Sequence, residues 1–100
     1  MAYEIEIRDV AYDELQALKP FYRRQIVEAI GEQLAHQPSV ETRNRKLLVG
    51  FKPVFDHDPP LWELRVGQYR VYYDVSEEAT TVIVRAVREK PPHLTTEETV

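Results

Sequence analysis

The sequence contains no cysteine and only three glycines, and its seventeen acidic residues outnumber its thirteen basic ones. Without cysteine there is no disulfide and no thiolate metal site, a composition typical of a reducing cytosol. The glycines, Gly31, Gly50 and Gly67, form no glycine-rich loop of the kind that cradles phosphate groups. The formal net charge of −4 argues against a generally basic nucleic-acid-binding protein.

Long apolar segments are also missing. No apolar run approaches the roughly 20 residues that cross a bilayer, and the charged, alternating N-terminal segment is unlike a signal peptide. We therefore expect no membrane partner and a cytoplasmic location. The 100 residues suit a single domain over residues 1–100, with a polar tail over residues 91–100.

The N-terminal third predicts one strand and two helices. Alternation in YEIEIR predicts a strand over residues 3–8, and helical spacing predicts helices over residues 10–18 and 20–36. Asp9 is the expected cap of the first helix, and Pro20 suits the first turn of the second. The side chains expected to face inward are Tyr12, Leu15, Leu18, Tyr22, Ile26, Ala29, Ile30 and Leu34.

The remaining chain predicts strands. They cover residues 46–49, 61–66, 69–75 and 80–89, and FKPVFDHDPP at residues 51–60 reads as an exposed loop. The expected fold class is α+β, with two N-terminal helices on one face of a mostly antiparallel sheet of four or five strands. The other face of the sheet is expected to be partly open.

The hairpin LWELRVGQYRVYYDV places like charges together. A two-residue turn at Gly67-Gln68 puts Arg65 opposite Arg70 and Glu63 opposite Tyr72. Like charges in such a pair destabilise a sheet, so their presence favours a function. The face expected to meet the core carries Trp62, Leu64, Val66, Tyr69, Val71, Tyr73 and Val75; the opposite face carries Glu63, Arg65, Arg70, Tyr72 and Asp74.

Basic residues cluster despite the acidic total. Residues 41–52 carry four bases and one acid, and residues 82–93 carry three bases and one acid. Placed beside the hairpin, these segments predict a local polyanion-binding surface. Its candidate residues are Arg43, Arg45, Lys46, Arg65, Arg70, Arg88 and Lys90. Alternatively, Arg65 pairs with Glu63 or Asp74, and Arg70 lies over Tyr72.

Other reactive side chains give weaker signals. Asp56, His57 and Asp58 are possible metal ligands, but adjacent residues rarely converge on one ion, so we expect no metal site and no cofactor. His93 is either an ordinary tail residue or a proton donor.

The block LWELRVGQYRVYYDV, preceded by TRNRKLL and followed by VIVRAVREK, resembles the RelE/ParE superfamily of type II toxin–antitoxin toxins. The resemblance covers about residues 3–90 and implies a RelE-like fold. RelE-like toxins enter the ribosomal A site and cleave mRNA without a metal, whereas ParE-like toxins block DNA gyrase. A cognate antitoxin covers the active surface. A toxin-like binding module without toxicity is a third reading.

The resemblance also implies roles for individual residues. Arg70, in the motif Y-R-V, matches the family arginine that contacts the scissile phosphate, and Arg65 lies beside it. Glu63 or Glu41 is the candidate base, and His93 is the candidate acid. The chain departs from the strong RelE nucleases, because Leu61 and Glu63 stand where those enzymes have strand lysines, and no tyrosine follows Tyr73. The function that the resemblance implies is a ribosome-dependent mRNA endonuclease that needs no metal, with a ParE-like gyrase inhibitor as the alternative.

Overall fold

A computed structural model describes residues 2–50 and 52–90 of the chain. Within these residues the elements run in the order β1 (Glu4–Ile7), α1 (Asp9–Gln16), α2 (Pro20–Leu34), β2 (Arg45–Leu48), β3 (Leu61–Val66), β4 (Tyr69–Ser76) and β5 (Thr81–Glu89). The strands form one sheet in the order β1-β5-β4-β3-β2. Strand β1 pairs parallel to β5, and the other pairs are antiparallel. The predicted α+β fold, with a mostly antiparallel sheet, is confirmed.

The two helices differ from the prediction at their ends. Asp9 lies in the first turn of α1 and does not cap it, since Arg8 occupies the cap position without a side-chain bond. Pro20 starts α2 as expected. Both helices end two residues before their predicted ends.

The side of α1 that meets the sheet is also displaced from the prediction. Ala11 and Leu15, four residues apart, are buried, whereas Tyr12 is exposed. In α2 the buried side chains are Ile26, Ile30 and Leu34, and Tyr22 is exposed. The predictions for Tyr12 and Tyr22 were therefore wrong.

The core between the helices and the sheet follows the alternation of the hairpin. Trp62, Leu64, Val71 and Tyr73 are buried in the cluster that contains the buried helix residues. The rings of Trp62 and Tyr73 are stacked with centroids 6.2 Å apart. The Tyr73 hydroxyl donates a hydrogen bond of 2.7 Å to the carbonyl oxygen of Pro38, so its burial leaves no unpaired polar group. The predicted inner face of the hairpin is confirmed.

Part of the second face of the sheet is covered, while Arg65 and Lys46 on this face stay exposed. Phe55, from the segment read as an exposed loop, is buried in a second cluster with Leu61, Tyr72 and Ala86. A register shift between β4 and β5 at Tyr72/Tyr73 leaves Arg85 as the extra residue of a bulge, and Arg85 donates a hydrogen bond to Asp74 on this face. The apolar residues on this face need a cover, and the segment between β2 and β3 supplies it.

Candidate functional site

Three arginines form a row across three neighbouring strands. Arg65 on β3 lies directly opposite Arg70 on β4, and Arg70 lies opposite Arg88 on β5. Residues paired across strands share a face, so all three side chains start from the second face of the sheet. The register predicted for the hairpin is confirmed, and β5 adds the third arginine.

The three arginines have different partners. Arg70 is 8% exposed, and its Nη1 donates hydrogen bonds of 2.9 Å to the carbonyl oxygens of Gly67 and Tyr69. Arg88 forms an ion pair with Glu14, and its guanidinium carbon lies 5.6 Å from the centroid of the Phe55 ring. Arg65 is exposed, and its side chain forms no hydrogen bond or ion pair with the residues that the structure describes. Arg65 is therefore the arginine of this row best placed to receive an anion from solvent.

A second row of paired residues lies beside the arginines and consists of a lysine, a carboxylate and a phenol. Lys46 on β2 lies opposite Glu63 on β3, and Glu63 lies opposite Tyr72 on β4. Tyr72 is fully buried, and the centroid of its ring lies 5.6 Å from that of Phe55. Burial, and then the neighbouring Glu63 carboxylate, raises the pKa of Tyr72 above its ordinary value, although Arg70 and Arg88 act in the opposite direction. The phenol therefore stays protonated near neutral pH.

Arg45 does not lie with the other predicted anion-binding residues. It pairs with Leu64, so its side chain points to the helix side of the sheet. There its Nε donates to the carbonyl oxygen of Val40 at 2.9 Å, and its Nη1 donates to that of Gln33 at 2.6 Å. The placement of Arg45 on the polyanion surface was wrong. Strand β2 begins one residue earlier than predicted, which puts Arg45 in a strand position facing α2.

The remaining predicted site residues are dispersed. Arg43 and Lys46 are exposed, and Lys46 shares the face of the arginine row. Lys90 follows β5, and its backbone N–H donates to the carbonyl oxygen of Gln68 at 2.6 Å. The Glu41 carboxylate accepts a 3.3 Å hydrogen bond from the N–H of Leu47 on the outer strand β2, which is a different place from Glu63. His93 lies outside the described residues.

An ionic cluster that was not predicted lies beside this site. Arg85 Nε donates to the Asp74 carboxylate at 2.7 Å, and Arg85 Nη2 lies 3.3 Å from the Asp58 carboxylate. Burial opposes the charge of Arg85, but the hydrogen bond and charge of Asp74, with help from Asp58, raise the pKa of Arg85 above its usual value. The Asp58 carboxylate is therefore the exposed member of an ion pair with Arg85. Alternation along β5 does not indicate this cluster, because Asp58 and Asp74 come from other parts of the chain.

A model of a known protein family matches most of this chain, including the hairpin. The family model described as "ParE toxin of type II toxin-antitoxin system, parDE" matches residues 5–90. The chain belongs to this family of toxins, within the RelE/ParE superfamily. No curated protein matches the toxin's sequence.

Solved structures of RelE proteins share the toxin's fold. An Escherichia coli RelE toxin with two arginines changed to alanine, in the free state, is 28% identical, with a TM-score of 0.66 over 90% of this chain and 84% of that one. The RelBE toxin–antitoxin complex of Mycobacterium tuberculosis gives 24% identity and a TM-score of 0.70 over 90% of this chain and 100% of that one. The intact E. coli RelBE complex gives 25% identity and a TM-score of 0.52 over 92% and 100%.

The described residues contain no helix long and apolar enough to cross a membrane. The toxin's candidate site is the second face of the sheet, which combines the arginine row with the neighbouring Glu63 and Tyr72.

Proposed function

We propose that the toxin is a metal-independent endoribonuclease that cleaves mRNA on the ribosome. The observation that carries this proposal is the row of Arg65, Arg70 and Arg88 beside a carboxylate and a phenol. Guanidinium groups bind phosphate oxygens in a bidentate manner and stabilise the charge that accumulates on a phosphorane. Opposed arginines, which destabilise a sheet, are accounted for by a phosphate that lies between or near them.

The proposed reaction is attack by the RNA 2′-hydroxyl on the adjacent phosphate. The new bond joins the 2′-oxygen to phosphorus, the bond to the 5′-oxygen breaks, and the product is a 2′,3′-cyclic phosphate. Glu63 takes the proton of the 2′-hydroxyl, and the candidate donor to the leaving 5′-oxygen is His93. Arg70 and Arg65 hold the phosphate, and Tyr72 orients the Glu63 carboxylate beside it.

Outside this centre, the proposed RNA contacts are three basic residues, of which Lys46 shares the face of the arginine row. Lys46 lies opposite Glu63, and Arg43 and Lys90 precede β2 and follow β5. We also propose a cognate antitoxin as partner, since structural neighbours from M. tuberculosis and E. coli are toxin–antitoxin complexes. An antitoxin that covers the arginine row would block this function.

Inhibition of DNA gyrase is the second candidate function. It is favoured by the family model, which carries the ParE description, and by the burial of Glu63 and Tyr72. A gyrase inhibitor needs only a complementary surface and no general base.

The deciding experiment measures two activities of one purified toxin. Ribosomes programmed with a defined mRNA are incubated with the toxin, and primer extension detects cuts in the A-site codon. In parallel, gyrase supercoiling of a relaxed plasmid is followed. Cleavage with unaffected supercoiling supports the endoribonuclease, whereas inhibited supercoiling with intact mRNA overturns it in favour of gyrase. Neither effect, from a folded protein, would make the chain a non-toxic binding module.

A further inference from the structure

The candidate base and its neighbour are almost closed off from solvent. Glu63 is 7% exposed and Tyr72 is 0% exposed, although Arg65 in the adjacent row is exposed. A phosphate from solvent reaches Arg65 in this conformation, but a ribose does not reach the Glu63 carboxylate. General base catalysis requires contact within hydrogen-bond distance, so part of the structure must move before cleavage.

The segment of residues 52–60, which we call the strap, covers Tyr72, the neighbour of Glu63 on the adjacent strand. Phe55 is its buried aromatic residue, and it contacts the Tyr72 ring and the Arg88 guanidinium. The neighbouring Val54 is 87% exposed. One aromatic side chain thus provides the apolar contact between the strap and this face of the sheet.

The other end of the strap is held by charge. The backbone N–H of Asp58 donates to the Asp74 carboxylate at 2.9 Å, and the Asp58 carboxylate lies 3.3 Å from Arg85 Nη2. Asp74 and Arg85 are buried and paired to each other, whereas the Asp58 side chain is 84% exposed. The buried Asp74–Arg85 pair therefore stays in place, whereas water can replace the exposed Asp58 carboxylate as a partner of Arg85. We call this arrangement a latch.

We propose that the strap closes over Glu63 and Tyr72, and that Arg85, held by Asp74, is a positioning residue that latches the strap through Asp58. RNA reaches Glu63 when Phe55 lifts away from Tyr72. The strap is held by one aromatic contact, one ion pair that is exposed on the Asp58 side and the hydrogen bond from the Asp58 N–H to Asp74. A barrier of this size belongs to the regime in which a minor state is populated at about 0.1–10%. The identity of the substrate rests on the proposed function, but the movement of the strap does not.

The first test measures access to Tyr72 without any RNA. Tetranitromethane nitrates accessible tyrosines, and mass spectrometry assigns the modified residue. Phe55→Ala should increase the nitration rate of Tyr72 by about 10- to 100-fold, the factor that corresponds to the lost burial of one large apolar side chain. Asp58→Ala should increase it by about threefold, as expected for an ion pair that is exposed on one side.

Three controls separate a latch from a general loss of stability. Val54→Ala changes an exposed residue of the same strap and should leave Tyr72 nitration unchanged. The double variant Phe55→Ala/Asp58→Ala should match Phe55→Ala, because an open strap has nothing left for Asp58 to hold. Arg85→Lys keeps the positive charge but loses the forked guanidinium. Its Tyr72 nitration rate should therefore lie between those of the parent and Asp58→Ala. Unfolding midpoints measured on each variant identify any that fail to fold.

The second test measures mRNA cleavage on ribosomes with the same variants. Asp58→Ala should cleave faster than the parent in proportion to its Tyr72 nitration rate. If the parent cleaves mRNA and the folded Asp58→Ala variant cleaves no faster, the strap does not open to admit RNA and the proposal is overturned. If no variant cleaves but nitration follows the predicted series, the endoribonuclease proposal fails while the strap stands. Unchanged nitration in folded Phe55→Ala overturns the strap whatever the cleavage result.

Discussion

Arg65 and Arg70 lie directly opposite each other on β3 and β4, yet only Arg70 is folded back onto backbone carbonyls. This difference separates a buried guanidinium that shapes the hairpin turn from an exposed one that faces solvent. The two arginines should therefore respond differently to substitution.

Arg70→Ala should lower single-turnover mRNA cleavage on ribosomes by about 10²-fold or more, the usual cost of one transition-state donor. Arg70→Lys should restore only part of the rate, because a point charge lacks the guanidinium's fork. The hydrogen bonds to Gly67 and Tyr69 add a structural cost of about 1–3 kcal/mol, which denaturant unfolding measures. A folded Arg70→Ala toxin that cleaves at the parent rate would remove Arg70 from catalysis.

Arg65→Ala should leave the free energy of unfolding unchanged or raise it slightly, because it relieves the opposition of two like charges. Binding of the toxin to RNA should weaken and become less dependent on salt, since one phosphate contact is lost. Titration of a non-cleavable RNA at several salt concentrations measures both effects. A clear loss of stability would mean that Arg65 has a partner in solution that supports the sheet.

Arg45→Ala should destabilise the toxin by about 1–3 kcal/mol, because the carbonyl oxygens of Val40 and Gln33 lose a buried donor. The exposed Arg43 provides the matched control. Arg43→Ala should leave thermal unfolding unchanged and reduce RNA binding. Arg45→Ala should lower the unfolding temperature and leave RNA binding unchanged. If Arg45→Ala instead weakens RNA binding without loss of stability, Arg45 is part of the polyanion surface.

Trp62→Ala should cost about 3–5 kcal/mol of unfolding free energy, the range for removal of a large core aromatic. Its ring stacks on Tyr73 and is buried beneath the helices. Denaturant titration followed by circular dichroism measures the change. A cost below about 1 kcal/mol would place Trp62 outside the packed core.

Alkaline stability should depend on Tyr73. Burial raises its pKa above the ordinary value of 10.0, although Arg45 acts in the opposite direction. Above about pH 10 the unfolded chain therefore loses a phenolic proton that the native toxin retains, so stability falls as pH rises. Tyr73→Phe should reduce that slope by up to about 1.4 kcal/mol per pH unit.

The exposed Tyr12 provides the control for the alkaline prediction. Tyr12→Phe makes the same substitution at an exposed position and is measured over the same pH range. Equal slopes for the parent and Tyr73→Phe would show that the buried phenol titrates normally.

Local patterns in the chain were enough to predict the hairpin and its inner face. The turn at Gly67-Gln68 sets which residues pair, and Gly67 adopts a φ of 59°, which glycine reaches without strain. Alternation then assigns Trp62 and Leu64 to the core and Arg65 to the other face. These are short-range constraints, so neighbouring residues suffice to predict them.

Long-range contacts decided how the second face is covered. Phe55 is buried because Tyr72 and Ala86 offer it an apolar surface, and nothing in FKPVFDHDPP indicates that surface. Arg85 meets Asp74 only when β5 pairs with β4, and Arg45 faces α2 because it pairs with the core residue Leu64. Each depends on a partner distant in sequence, and the stability of such contacts comes from burial and charge pairing that exist only after the sheet has formed.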